Sequence, residues 1–251
     1  MIAAWQTNGF CHGVMNSDNM SILGLTLDYG PFGFLDGFNA GHICNHSDPH
    51  GRYAWNRQPE AGLWNLQCLA GALLPLSTRE ALGEALEQYG AAFAQAQTER
   101  FQHKLGLHDW QDGDLDLLGR LLELMQGSAA DWTLFWRALA SLDDADALAP
   151  RDFFVDRAAF DAWTSDYCLR LRQDNRPAPE RRTTMLRANP RYVLRNHLAE
   201  QAIRQALHRA LAHGRYPAEN VYGSGDAARR MVQAIATAPL DAQWLHKVNT
   251  Y

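Results

Sequence analysis

Beyond residue 60 the apolar positions recur at three- and four-residue spacings. Ala61, Leu63, Trp64, Leu66, Leu69 and Ala70 form one stripe, which predicts a helix over 61–70. The run Ser77-Thr78-Arg79-Glu80 then reads as a capping box: the Ser77 hydroxyl accepts from the backbone N–H three residues on and Glu80 reaches back, opening a long helix to about 105. Further helices are predicted over 113–126, closed by Gly127, and over 130–142 and 153–172. Two more are expected at 190–213, with Asn189 as cap and Pro190 in the first turn, and at 226–237 before Pro239.

The first 75 residues have a different texture, rich in Gly, Asn, His and aromatics and poor in strong helix formers, so loops and short strands are expected there. Within them, residues 21–27 are apolar and partly β-branched. Asn19 bounds them on one side and the turn-forming Asp28-Tyr29-Gly30-Pro31 on the other, which predicts a buried strand or hairpin arm. The fold class that emerges is α+β and mostly α. A loop-rich segment, 1–75, leads into a helical region, 76–251, whose core should include Trp132 and Trp136, four residues apart on one helix face.

Composition narrows the function classes. With 251 residues, 47% of them hydrophobic and 20% charged, the chain can bury a core. A net charge of −5 argues against a nucleic-acid or anionic-membrane surface. No apolar run is long enough to span a bilayer and no leader pattern is seen, so a cytoplasmic location is expected. Four cysteines without CxxC spacing read as thiols and not as a disulfide scaffold. Of the 23 basic residues only Lys104 and Lys247 are lysine. Seven arginines crowd residues 170–191, either as a solvated connection with local salt bridges or as a cluster facing phosphate or substrate.

The densest polar information lies in His12-Gly13-Val14-Met15-Asn16-Ser17-Asp18-Asn19 and, after the apolar stretch, in Asp28-Tyr29-Gly30. Phosphoryl and nucleotidyl transfer require hard oxygen ligands for a divalent cation and a carboxylate to take the proton of the attacking hydroxyl. Asp18, Asn19 and Asp28 supply both, in the order in which a kinase catalytic loop and D-F-G motif present them. The same residue types also make ordinary turns, so spacing alone leaves both readings open.

A longer set of residues resembles the selenoprotein O family of protein adenylyltransferases, enzymes of kinase-like fold. It includes Trp5-Gln6, Gly9 through Ser21, Gly24 through Phe34, Cys44-Asn45-His46-Ser47-Asp48, Gly51-Arg52-Tyr53, Asn56-Arg57-Gln58-Pro59, Leu63-Trp64-Asn65-Leu66 and Asn189 through Asn196. The resemblance implies the C-terminal lobe of a protein-kinase-like fold and transfer of AMP from ATP to Ser, Thr or Tyr hydroxyls of protein substrates. It further implies that Asp18 is the proton acceptor, that Asn19 and Asp28 hold Mg2+, for which Mn2+ can substitute, and that Asp28 also contacts ATP. His12 would orient the loop, with Arg52 and Arg57 in support near phosphate or acceptor.

A kinase-like site also needs a Gly-rich phosphate cover and a strand lysine upstream of its catalytic loop. Only 17 residues precede Asp18 and none is lysine. The expectation is therefore a chain without the N-terminal nucleotide-binding lobe, weak or inactive alone, and inclined to self-associate through the face that lobe would cover. Three other readings stand beside it. One is a kinase transferring the γ-phosphoryl group, another a non-catalytic remnant or interaction domain, and the third a zinc module built on His42, Cys44, His46 and His50.

Overall fold

A computed structural model describes residues 1–142, 149–174 and 176–213. Helix α1 (Ile2–Asn8) opens it and stops at Gly9, whose φ of 70° is left-handed. A Cβ at Gly9 would fall 2.6 Å from Trp132 Cδ1, so glycine serves the turn and the close approach together. Strand β1 (Phe10–Cys11) pairs antiparallel with β2 (Gly33–Phe34), Phe10 opposite Phe34.

The helices follow in chain order. Helix α2 (Gln58–Leu73) carries Pro59 in its first turn. Helix α3 (Arg79–Leu105) is capped by Thr78, whose hydroxyl accepts from the Ala81 N–H at 3.2 Å, one residue later than the Ser77 cap expected. Helix α4 (Asp114–Ser128) runs through Gly127 and ends at Ala129. Asp131 and Asp156 cap α5 (Trp132–Leu139) and α6 (Arg157–Gln173), each accepting from the N–H three residues on. Last come α7 (Ala178–Ala188) and α8 (Asn196–His213). The chain is thus α+β and mostly helical. Among the described residues no helix is long and apolar enough to cross a membrane.

Residues 1–200 form one compact unit, and a second begins at Gln201. In the first, α1, α2 and α7 pack against α3, and α4 packs against α6. The larger core gathers Trp132, Phe135 and Trp136 of α5 with Phe101 and Leu105 of α3, Leu121 of α4 and Trp163 of α6. Cys11, Leu35 and Trp55 of the loop-rich segment join the same core. A smaller cluster gathers Ile2, Trp5, Phe10, Met15, Tyr53 and Ala61 around the loop that follows β1.

Three expectations need correction. Residues 21–27 are not a buried strand: Ile22 and Leu23 are 81% and 76% exposed, and a single antiparallel bridge joins Met20 to Thr26. Local polar bonding wins there, because Ser21 accepts from the Gly24 N–H through its carbonyl and from the Leu23 N–H through its hydroxyl, while Gly24 takes a left-handed φ of 71°. Asn189-Pro190 does not open a helix either. Asn189 is buried on Lys104 and its carbonyl accepts from Arg137, and α8 begins only at Asn196. Finally, α1 and α7 occupy stretches read as loop and connection. The helix expected over 226–237 lies outside the described residues.

Candidate active site

The loop that follows β1 is fixed from beneath by buried side chains. Gln58, wholly buried at the start of α2, accepts from the His12 backbone N–H at 2.8 Å and donates to the Phe10 carbonyl at 2.9 Å. Asn65, two turns further along α2, donates to the Met15 carbonyl at 2.8 Å. The Asn45 amide reaches the Gly13 carbonyl at 3.0 Å, and the Tyr53 hydroxyl donates to Asn16 Oδ1 at 2.5 Å. Phe10, His12, Gly13, Met15 and Asn16 are thus each held by a side chain distant in sequence.

His12 is the hub. Its ring is fully buried, 5.2 Å from the Trp5 ring. Nδ1 accepts from the Val14 N–H at 3.4 Å, which assigns the proton to Nε2, and Nε2 donates to the Leu27 carbonyl at 2.6 Å. That bond ties the loop bearing Asp18 to the residue just before Asp28. The Met20–Thr26 bridge closes the intervening hairpin, so Asn19 and Asp28 emerge at the same end of it.

Asp18 sits exposed in the short 3-10 turn Ser17–Asn19. The Asn19 amide donates to the Val14 carbonyl at 3.2 Å, which leaves its Oδ1 for another partner. Asp28 is exposed and holds a φ of 55°, a left-handed conformation that Asp tolerates better than most residues. Among the described residues neither Asp18 nor Asp28 forms an ion pair. Two uncompensated carboxylates and a free amide oxygen suit a hard divalent cation. Among the described residues no three or more His, Cys, Asp or Glu side chains gather around a metal position. A cation here would thus complete its shell with water and phosphate oxygens, as Mg2+ commonly does.

The remaining expected residues are engaged elsewhere. Arg52 stacks over the Trp64 ring at 4.9 Å, and its backbone N–H donates to Asp48. Arg57 pairs with Glu60 at 3.5 Å and donates to the Gly51 carbonyl. His42, Cys44, His46 and His50 do not converge, and the Cys44 thiol donates to the Cys11 carbonyl instead, which removes the zinc reading. Sequence reasoning assigned no role to Gln58, Asn65, Tyr53 or Asn45. The available signal was a polar residue in an apolar helical stretch, such as Asn65 between Trp64 and Leu66.

Replacing Gln58 by Leu would leave the His12 N–H and Phe10 carbonyl buried without partners. Urea unfolding is expected to show a loss of about 1–3 kcal/mol, the usual consequence of orphaned buried polar groups.

A family model described as protein adenylyltransferase SelO matches residues 1–216. A protein nucleotidyltransferase YdiU of Bordetella avium is 56% identical over 207 residues, a match covering 82% of this chain and 42% of that protein. Its namesake in Cupriavidus metallidurans is 50% identical over 223 residues, with 82% and 41% covered. That of Thiobacillus denitrificans is 50% identical over 226 residues, with 84% and 46% covered. The chain spans less than half the length of these relatives. Identity of half or more across four fifths of the sequence, with a family match through residue 216, makes this chain a member of the SelO protein adenylyltransferase family.

Proposed function

We propose that residues 1–75 form the metal- and nucleotide-handling segment of a protein adenylyltransferase site, set on the C-terminal lobe of a kinase-like fold and supported by the helices that follow. In the reaction a Ser, Thr or Tyr hydroxyl oxygen of a protein attacks the α-phosphorus of ATP, the P–O bond to the β-phosphate breaks, and pyrophosphate leaves. Asp18 accepts the hydroxyl proton. Asn19 and Asp28 would hold Mg2+, which when bound supplies charge neutralisation for the phosphates. Asp28 also meets the nucleotide.

The observation that carries this reading is the His12–Leu27 bond with the Met20–Thr26 bridge, which places Asn19 and Asp28 at one end of the same hairpin. His12 has both ring nitrogens engaged in a buried setting, so it positions the loop and does not shuttle protons. Pre-organisation of this kind is what lets fixed oxygens stabilise developing charge without rearrangement. A second reading, an interaction domain, draws on the exposed Ile22, Leu23 and Leu25 within the hairpin, a face that another polypeptide would cover.

Incubating the purified chain with Mg2+ and ATP labelled on either the α- or the γ-phosphate separates the possibilities. Slow, acid-stable incorporation of the α label alone is expected, slow because less than half the length of the relatives is present. Incorporation of the γ label would instead identify a phosphotransferase. Incorporation of neither, with no ATP binding, would leave the interaction reading.

A further inference from the structure

The arginine-rich run over 170–191 is only partly consumed by structure. Arg170 is buried against Asp114 and Asp174, and Arg176 meets His108. Arg187, in the last turn of α7, has no hydrogen bond or ion pair among the described residues. It lines a cavity of about 460 Å³ together with Arg100 and His103, one turn apart on α3, and Lys104. Phe34 and Tyr192 contribute aromatic wall, and among the described residues no carboxylate lines the cavity. Among the described residues the side chains of Arg100 and His103 likewise lack a hydrogen-bonded or ion-paired acidic partner.

Lys104 adds a second, independent observation. It is 2% exposed, yet its ammonium meets no carboxylate: Nζ donates to Asn189 Oδ1 at 2.6 Å and lies 4.8 and 5.9 Å from the Trp136 and Trp132 rings. Buried charges are normally matched by an opposite charge, and here two guanidinium groups and an imidazole line the same cavity as the unmatched amine. The helix dipole favours His103, Lys104 and Arg187 in the last turns of their helices, but not Arg100, which lies further back on α3. It does not account for basic groups of two different helices converging on one concavity that no acidic side chain lines among the described residues.

We propose that this cavity binds a small organic phosphate, its phosphate held by Arg100, His103 and Arg187 and its carbon skeleton packed against Phe34 and Tyr192. Guanidinium groups match phosphate oxygens in geometry and charge. The volume exceeds what a bare phosphate ion fills, and sites of this size with apolar walls and a few polar groups are typical of small-molecule binding. Asp18, Asn19 and Asp28 do not line the cavity.

The test uses the full chain, with phenyl phosphate and inorganic phosphate as probes and His103 imidazole NMR signals, assigned through His103→Gln, as the readout. Phenyl phosphate should shift the assigned His103 imidazole signals and bind at least tenfold tighter than inorganic phosphate, with affinity falling as NaCl is added. The doubly substituted Arg100→Gln, Arg187→Gln protein, altered only at exposed positions, should keep its circular dichroism and lose at least tenfold in affinity. Unchanged His103 signals, or equal binding by the double variant, would overturn the proposal. So would a short Glu-rich peptide displacing phenyl phosphate at lower concentration than either phosphate, because the surface would then be a dock for acidic polypeptide.

Discussion

Substituting Asp28 by Asn is expected to reduce incorporation of α-labelled AMP by at least about a hundredfold while leaving thermal stability unchanged. Loss of a metal-held phosphate contact removes several kcal/mol of charge stabilisation from the transition state, and each 1.4 kcal/mol is about a factor of ten in rate. The backbone makes the choice of substitution informative. Asp28 holds a left-handed φ of 55°, which Asn tolerates as well as Asp does, so Asp28→Asn removes the charge and little else. Alanine at the same φ adds about 1–2 kcal/mol of backbone strain. Asp28→Ala should therefore be as inactive and measurably less stable in differential scanning calorimetry. Activity retained in the Asn variant would remove Asp28 from the metal- and nucleotide-binding role.

The contrast between what the residues announce and what the fold does with them is sharpest around α3. Its run to residue 105 and the burial of the Trp132–Trp136 pair follow from local signals and form where the sequence puts them, while α5 and α6 begin at Trp132 and Arg157, two and four residues later than expected. Asn189-Pro190 carries an equally good local signal for a helix start, and it is overruled by a contact 85 residues away, the bond from Lys104 to Asn189. No local pattern encodes that partner. Residues 21–27 fail for a related reason: apolar content suggested burial, while Ser21 and Gly24 build a turn that leaves Ile22 and Leu23 in solvent. In the candidate site, Asp18, Asn19 and Asp28 stand out as a motif. Their scaffold does not, because the reach of Gln58, Asn65 and Tyr53 into the loop depends on how α2 and the preceding segment pack.

Lys104→Met is expected to stabilise the protein at pH 6 by about 2–4 kcal/mol, the penalty on the buried ammonium at about 1.4 kcal/mol per unit of pKa lowering, less about 1–3 kcal/mol for the Asn189 oxygen left without a donor. Burial pushes the Lys104 ammonium down from 10.5 to about 7 in the folded chain. Below pH 7 both folded and unfolded states carry the proton, so the full desolvation penalty opposes folding. Between pH 7 and 10.5 the folded state has released a proton that the unfolded state still binds, and wild-type stability rises through that window by up to about 1.4 kcal/mol per pH unit. The advantage of methionine should therefore be largest at pH 6 and largely gone by pH 10. There the neutral amine of the wild type keeps its bond to Asn189 Oδ1, whereas the variant leaves that buried oxygen without a donor. Urea unfolding at pH 6, 8 and 10 measures the trend, and a gain independent of pH would show that packing, and not charge, sets the difference. Phenyl phosphate adds a further discriminator at pH 6. An anion seated above Lys104 offsets the buried charge of the wild type and has no ammonium to offset in the variant, so saturating ligand should narrow the gap between them.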